Sequence, residues 1–541
     1  MHRTRDRSNG LLFDPWASLG AKRRQMLDKS WAGVFRSHLL NALPVRALAG
    51  AFSAGMGRPT KDLHVAAGVL ILQQLHDLTD AATVEALAFN LAWHYALDVQ
   101  DEADAYLCEK TLRNYRRLVM DQGLDRVLFQ ALTDELVQAF GVDVSRQRLD
   151  STGIRSAMRS LTRLGTVVET ISKFLRELAR TYPGLHAHVD VELVRRYVAR
   201  EGEGCFADTT PSESKRRLPE AGRDLWQLAK RFESTEARAL ESFGLLQRVL
   251  AEQFEIVEAD DASADDAPVR VKEPKEIPCD NLRNPADPDS SYNKHRGQGY
   301  LAQVMETYQE DDEQEDEQAQ HTAGDTPDLI THVSVGKMNV HDSQYLEPAL
   351  ADVSNRDLKP QQLLADSHYG STDNVHEAAE EAVELVSPAM TAKGEARGDL
   401  TLEQFELDET GRVLRCPAGH TPVLTSHGPQ RHQARFDPAV CAACPLRERC
   451  PTRTADRRGE GRRLQYTHDR VAQRRRRLND RSSAFKARYR WRAGIEATMS
   501  RLKHQMRLAH LRVRGMPTVT YATFLRALGL NIHRCARCLA G

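Results

Sequence analysis

The chain has 541 residues, of which 41% are apolar, 28% charged and 6% aromatic. That is a soluble globular balance, long enough for roughly three domains of about 150 residues. Net charge is −1, from 75 basic and 76 acidic residues, and as one number it argues against a nucleic-acid or membrane partner. The apolar run Val65–Leu72 falls far short of the roughly 20 residues of a membrane-spanning helix. Met1–Asn9 is polar and carries no secretory h-region. Nine cysteines suit free or metal-bound thiols in a reducing compartment better than a disulfide scaffold. The expectation is a cytoplasmic protein.

Residues 1–140 read as a helical domain. Leu63–Leu78 is apolar on most faces, the mark of a buried helix, and the helical pattern continues through Val84–Leu97. In and just before Thr111–Met120, Lys110, Arg113 and Arg117 share one face, and Leu112, Tyr115 and Val119 share the other. The basic face is either a solvated surface or a surface for DNA, as in a helix-turn-helix reader.

Residues 141–160 form a β-favouring stretch that reaches Asp150-Ser151-Thr152. Residues 161–257 return to helical patterns and read as an insertion. An acidic linker spans 258–285. Within 286–390 come strand candidates at Gly299–Thr307, Leu329–Val335 and Gln362–Ala365, then a helix at Asp373–Glu384 and a strand at Glu384–Val386. An acidic loop over 309–328 interrupts this segment. Residues 391–480 are cysteine-rich, and 481–541 are C-terminal helices. The alternation suggests an α/β core with insertions.

The stretch Tyr489-Arg-Trp-Arg492-Ala-Gly-Ile-Glu496 continues to Lys503. On one α-helix, Tyr489, Arg492, Glu496 and Lys503 would fall within an arc of roughly 60°. A plain Arg–Glu salt bridge at i, i+4 gives part of the same pattern.

This order of residues resembles the signature of insertion-sequence transposases of the DDE type. Further segments are similar too: Arg148–Thr152, Leu363–Gly370, Asn339–Ser343, Asp287-Pro288-Asp289 with Lys294, and Cys416–Cys450. The resemblance implies an RNase H-like catalytic core, a mixed five-stranded sheet flanked by helices. Asp150 would lie on the first strand, Asp366 at the end of the fourth, and Glu496 on a helix beside them. It implies two Mg²⁺ or Mn²⁺ ions held by these three carboxylates, since hard cations take oxygen ligands and an ion pair can serve phosphodiester cleavage. It further implies that Tyr489, Arg492 and Lys503 bind DNA phosphates, and the basic helix face offers Arg113 and Arg117 as further DNA-binding candidates. The partners would be double-stranded transposon-end and target DNA and a second copy in a synaptic homodimer, with no membrane and a nucleoid location. A non-catalytic DNA-binding regulator and an RNase H-like nuclease are the rival functions.

Cys441-x2-Cys444-x5-Cys450, with Cys416 upstream, offers four thiols and His420 as a spare ligand, either for zinc or as free thiols of the fold. Cys535-x2-Cys538 reads as unliganded, and Cys108, Cys205 and Cys279 as ordinary cysteines. His341-Asp342 reads as a helix start rather than a metal pair.

The net charge hides its distribution. Arg447–Arg514 holds 22 basic and 6 acidic residues, whereas Glu255–Asp328 holds 6 basic and 21 acidic ones. The basic block surrounds Glu496 and includes Arg474–Arg477, so the distribution favours a nucleic-acid partner where the sum argued against one.

Overall fold

A computed structural model describes residues 2–5, 14–52, 59–198, 211–257, 269–310, 326–392, 394–454 and 462–540, with 211, 212 and 396 in backbone only. Cys205, most of the acidic linker's first half and most of the acidic loop lie outside the described residues.

The N-terminal helices form as the apolar pattern requires. Leu63–Leu75 is buried along nearly its whole length, and Asp62 caps it by accepting from the His64 and Val65 amides. The continuous helix read over Val84–Leu97 is two helices, Asp80–Phe89 and Leu91–Leu97. Asn90 causes the break, because its side chain accepts from the Ala92 and Trp93 amides and starts the second helix. Helix Glu109–Asp121 buries Leu112, Tyr115 and Val119 and leaves Lys110, Arg113 and Arg117 exposed, as its sequence dictates.

The central sheet is mixed. Its strands are β1 (Arg146–Ile154), β2 (Ser291–Asn293), β3 (Gly297–Thr307), β4 (Ile330–Lys337), β5 (Gln362–Ala365) and β6 (Glu384–Val386). β1 pairs antiparallel with β3 and parallel with β5, and β5 pairs parallel with β6. β3 pairs antiparallel with β4, and short β2 folds back on its start. Five strands thus make the main sheet, with β2 added as a hairpin. β3 is buried without interruption from Tyr300 to Thr307, so both sheet faces are covered there. The helix expected over Asp373–Glu384 stops earlier, spanning Thr372–Glu380, and a turn with Ala382 at φ 56° leads into β6.

C-terminal helix Met516–Ala540 crosses the middle of the molecule. It packs on helices Leu63–Leu75 and Leu124–Ala139 and on β4. Asn531 donates to the Ile330 carbonyl at 2.9 Å and accepts from its amide at 2.8 Å, completing hydrogen bonds of the edge strand. One continuous hydrophobic cluster therefore joins the N-terminal helices to the sheet. Asp287 and Asp289 accept from the Gly515 and Met516 amides, each at 3.0 Å, so the Asp-Pro-Asp stretch fixes the start of this helix.

The insertion after β1 has its own core. Helices Arg163–Thr181, Val191–Val198, Pro211–Phe232 and Glu241–Gln253 surround Phe174, which packs edge-on against Phe232 at 5.4 Å. The cysteine-rich insertion is a small antiparallel sheet in the order Leu424–His427, Arg431–Phe436, Arg462–Thr467, Arg453–Thr454. It buries Phe405, Phe436 and Tyr466.

Candidate functional site

Three chain segments that are distant in sequence meet at the middle of β1, where its pairing with β5 stops. Asp150 lies on β1, and Asp366 follows β5 directly. β1 and β5 are parallel neighbours whose last paired residues are Leu149 and Ala365, so Asp150 and Asp366 follow them side by side. The third segment is helix Gly494–His504, which carries Glu496 near its start.

This helix is fixed by a buried ionic cluster. Glu306 on β3 is fully buried and accepts from Arg148 Nε at 2.7 Å, Arg534 Nη1 at 2.9 Å and Thr498 Oγ1 at 2.6 Å. Thr498 belongs to the Glu496 helix, Arg148 to β1 and Arg534 to the C-terminal helix. Arg148 also donates to the Trp491 carbonyl at 3.0 Å. Gly494 permits this approach, because a Cβ there would lie 2.1 Å from Arg148 Nη1.

The straight four-residue face expected from Tyr489 to Lys503 is not present. Tyr489 ends helix Ser483–Tyr489, a 3₁₀ turn covers Arg490–Ala493, and only then does the Glu496 helix begin. The 3₁₀ turn changes the rotation per residue, so the 100° arithmetic fails between Tyr489 and Glu496. The break itself places Arg492. Its Nη2 lies 2.8 Å from Asp150 Oδ2, and its Nη1 lies 3.7 Å from Glu496 Oε1. The i, i+4 salt bridge is real, and it extends to the aspartate. Tyr489 stacks on Phe485 with ring centroids 5.4 Å apart. Its phenol is pushed up to about 12, first by burial and then by Asp366 and Asp150, with Arg492 opposing. Lys503 sits two turns beyond Glu496, about 10 Å along the same helix.

Burial raises the Asp150 carboxyl above its usual range. Arg492 and the Ser151 amide oppose the shift, and the negative fields of Asp366 and Asp342 add to it. Asp342 is the residue that sequence reasoning missed. His341 does cap the short 3₁₀ helix Asp342–Tyr345, accepting from the Ser343 amide at 3.2 Å. Beyond starting that helix, Asp342 turns its carboxylate toward the sheet. Its position in a stretch with family resemblance, beside Ser343, was the available signal. Asp366 accepts from the His368 amide at 2.9 Å, and His368 Nδ1 lies 3.2 Å from its other oxygen.

Asp150 and Asp366 are hard oxygen donors in a charge-rich, half-buried site, the chemistry that Mg²⁺ or Mn²⁺ requires. Glu496 is 71% exposed and leans on Arg492. Among the described residues, no three His, Cys, Asp or Glu side chains form a group arranged to hold a metal ion.

Cys416, Cys441, Cys444 and Cys450 do come together, lining one pocket with Pro417 and His420. All four are free and half-buried. Burial raises the Cys441 thiol, as do the three neighbouring thiols. Cys535 is buried in the C-terminal helix, whereas Cys108 and Cys279 are exposed. Arg113 pairs with Glu109 at 3.3 Å on the exposed helix face, and Arg117 is exposed beside it.

Residues 415–536 match the family model described as a transposase DDE domain, and residues 28–118 match one described as Transposase domain (DUF772). The first match covers the cysteine-rich sheet, Glu496 and most of the C-terminal helix, and the second covers most of the N-terminal helices. Asp150 and Asp366 lie outside both. The chain thus carries sequence similar to transposase domains on both sides of its central sheet. No curated protein and no solved structure matches the chain. Among the described residues, no helix is long and apolar enough to cross a membrane.

Proposed function

We propose that the chain is a DDE-type DNA transposase with an RNase H-like core, acting on the terminal inverted repeats of an insertion sequence. The carrying observation is the bridge made by Arg492, from Asp150 at 2.8 Å to Glu496 at 3.7 Å. It joins two carboxylates that the sequence pattern marks separately, and β5 brings Asp366 alongside. The mixed five-stranded sheet and the two transposase-domain matches support the same reading.

In this reading Asp150, Asp366 and Glu496 would hold divalent cations. Bound there, such ions supply water activation and stabilisation of the leaving oxygen. The chain's own groups bind and orient the DNA. Arg492 can take a phosphate through two parallel hydrogen bonds, and Lys503 provides a point charge further along the helix. Tyr489 offers a neutral hydroxyl donor next to the aspartates. Hydrolysis at the transposon end frees a 3′-hydroxyl, which then attacks a phosphodiester of target DNA, forming a new P–O3′ bond as the target's own P–O3′ bond breaks and leaves a target 3′-hydroxyl. Two ends must be held together, so the working form is a homodimer or larger assembly. The exposed face carrying Arg113 and Arg117 contributes DNA contacts from the N-terminal helices. In this reading the four gathered thiols would serve a structural zinc ion, outside the reaction.

The test is single substitution of Asp150, Asp366 and Glu496 by Ala in the full chain. The probe is linear duplex taken from the DNA flanking the coding sequence, with Mg²⁺ or Mn²⁺. Cleavage should fall more than about 100-fold, because even indirect metal-site partners contribute about 10–100-fold. DNA binding should persist. Cleavage retained in any one variant removes that residue from the site, and duplex binding by the unaltered chain without cleavage favours the regulator.

A further inference from the structure

Asp342 is 6% exposed and sits at the centre of a polar network behind the two aspartates. Arg296 grips it with both terminal nitrogens, at 3.2 and 2.9 Å. The same guanidinium donates to Ser151 Oγ at 2.9 Å. Arg296 is held in place by the hairpin between β2 and β3, where Asn293 accepts from its amide at 3.3 Å and Gly297 adopts φ 83°. On the other side, Gln303 donates to Asp342 at 3.2 Å and accepts from the Tyr369 hydroxyl. Tyr369 is fully buried and belongs to the turn that begins at Asp366, its amide donating to the Asp366 carbonyl at 3.1 Å. Asn374 bonds the carbonyls of both Tyr369 and Ser343, at 2.9 and 3.0 Å, tying that turn to the Asp342 segment.

Ser151 follows Asp150 on a strand, so the two side chains point to opposite faces. The network therefore holds β1 from the face away from the Asp150 carboxylate, and it reaches Asp366 through its turn. Arg492 meets Asp150 directly, whereas Arg296 and Asp342 meet Ser151, and Asp342 also reaches the site through His368, whose Nδ1 lies 3.9 Å from Asp342 Oδ2 and 3.2 Å from Asp366 Oδ2.

We infer that Asp342 is a positioning residue for strand cleavage, fixing the spacing of Asp150 and Asp366 through Arg296, Ser151, Gln303 and Tyr369. It touches no reacting atom. The inference rests on the proposed transposase reading. A misplacement of about 1 Å can cost about 100-fold in rate, which sets the size of the expected effect.

The experiment compares the full chain with Asp342→Asn, Arg296→Gln, the double variant and Asp150→Ala. The probe is the same flanking duplex with Mg²⁺ or Mn²⁺. Each single positioning variant should lower kcat on the order of 100-fold. Duplex Kd and KM should stay within about twofold, as expected when an interaction matters only in the transition state. The double variant should be no slower than the worse single one, because both act through one ion pair. Asp342→Glu, which keeps the charge, should recover part of the rate where Asn does not. Cleavage by Asp342→Asn within about threefold of the unaltered chain would overturn the inference, as would additive losses in the double variant. So would a rate loss matched by lost duplex binding or a lowered thermal midpoint. If the unaltered chain does not cleave the duplex, the transposase reading itself fails, and if Asp150→Ala cleaves normally, Asp150 leaves the site and the positioning role falls with it. If Asp150→Ala is inactive and Asp342→Asn is not impaired, only the positioning role fails.

Discussion

Replacing Glu306 by Gln should unfold the core more easily and loosen the Glu496 helix together with it. Glu306 is fully buried between Arg148 and Arg534, with Thr498 as a third partner. Breaking a buried ion pair by removing one partner costs about 3–5 kcal/mol, since the remaining charge is stranded. Here two guanidiniums would be left, although Arg148 keeps Asp328 at 3.2 Å. That retained partner places the expectation near the lower end, about 3 kcal/mol. For a unit of 150–250 residues this lowers the Tm by roughly 6–12 °C. The assay is thermal and urea unfolding followed by circular dichroism, read on the transition of the unit that contains the sheet. The pH dependence gives a second check. Burial would raise the Glu306 carboxyl, but Arg534 and Arg148 outweigh it and hold it below the usual range. A carboxyl lowered in the folded state stabilises above its unfolded value of about 4.3 and loses that contribution as pH falls toward its folded value. The gap between the unaltered chain and the variant should therefore be full near pH 7 and shrink below about pH 4. By contrast, Glu255→Gln breaks a solvent-screened, exposed pair with Arg270 and should leave the unfolding transition nearly unchanged. A Glu306→Gln variant within about 1 kcal/mol of the parent, or a gap that persists into acid, would refute the reasoning.

His76 lies between Trp31 and Trp93, and burial followed by the charge of His533 depresses it to about 4. The unfolded chain takes up this proton near pH 6.5 and the folded one only near 4, so stability should drop by up to about 3 kcal/mol across that window. His76→Gln should flatten the drop, as measured by urea unfolding at several pH values, and an unchanged slope would count against it. Duplex affinity should fall about 10³–10⁵-fold between 50 and 200 mM salt if six to ten phosphates are contacted, with a flat salt response opposing that contact number. Elemental analysis of the full chain should find about one zinc per chain, lost in Cys441→Ser with Cys444→Ser, because a C-x2-C pair and two further thiols match a four-thiolate set. Zero zinc, with four thiols titrating freely, would leave the cluster a packing feature.

Much of the sheet was legible because its strands alternate with turn signals. Gln362–Ala365 and Glu384–Val386 form as read, and β3 and β4 shift by only a few residues. The sequence also marked the segments of Asp150, Asp366 and Glu496. It could not show the 3₁₀ turn at Arg490–Ala493, because the helical pattern runs through it and the turn depends on Arg148 reaching the Trp491 carbonyl. Asp342 was hidden for a related reason. A helix-start role was sufficient to account for it locally, while its carboxylate partners, Arg296 and Gln303, come from another strand and its hairpin. Likewise, the pattern treated the N-terminal helices as a separate unit, and only the docked C-terminal helix reveals one shared core.

The basic block around Glu496 also changes meaning once its partners are known. Arg474 donates to the carbonyls of Leu402 and Phe405, and Arg476 to those of Gly370 and Ser387. Arg477 and Arg481 pair with Glu403, and Arg488 pairs with Glu384. These side chains join the cysteine-rich sheet to the turn after Asp366, so they are not a bare surface waiting for phosphate. The two kinds of partner differ electrically. A carboxylate cancels a guanidinium's charge, whereas a carbonyl leaves it intact. Arg474 and Arg476 make no direct ion pair, although Glu403 and Asp480 respectively lie within electrostatic reach, and each commits two N–H groups to backbone carbonyls. They can raise the local potential and speed the approach of DNA without serving as specific contacts. Replacing either by Gln should slow association at low salt, and replacing Arg476 should also loosen the Asp366 turn. The same change in Arg492 should act at the cleavage step, because its partners are the carboxylates themselves.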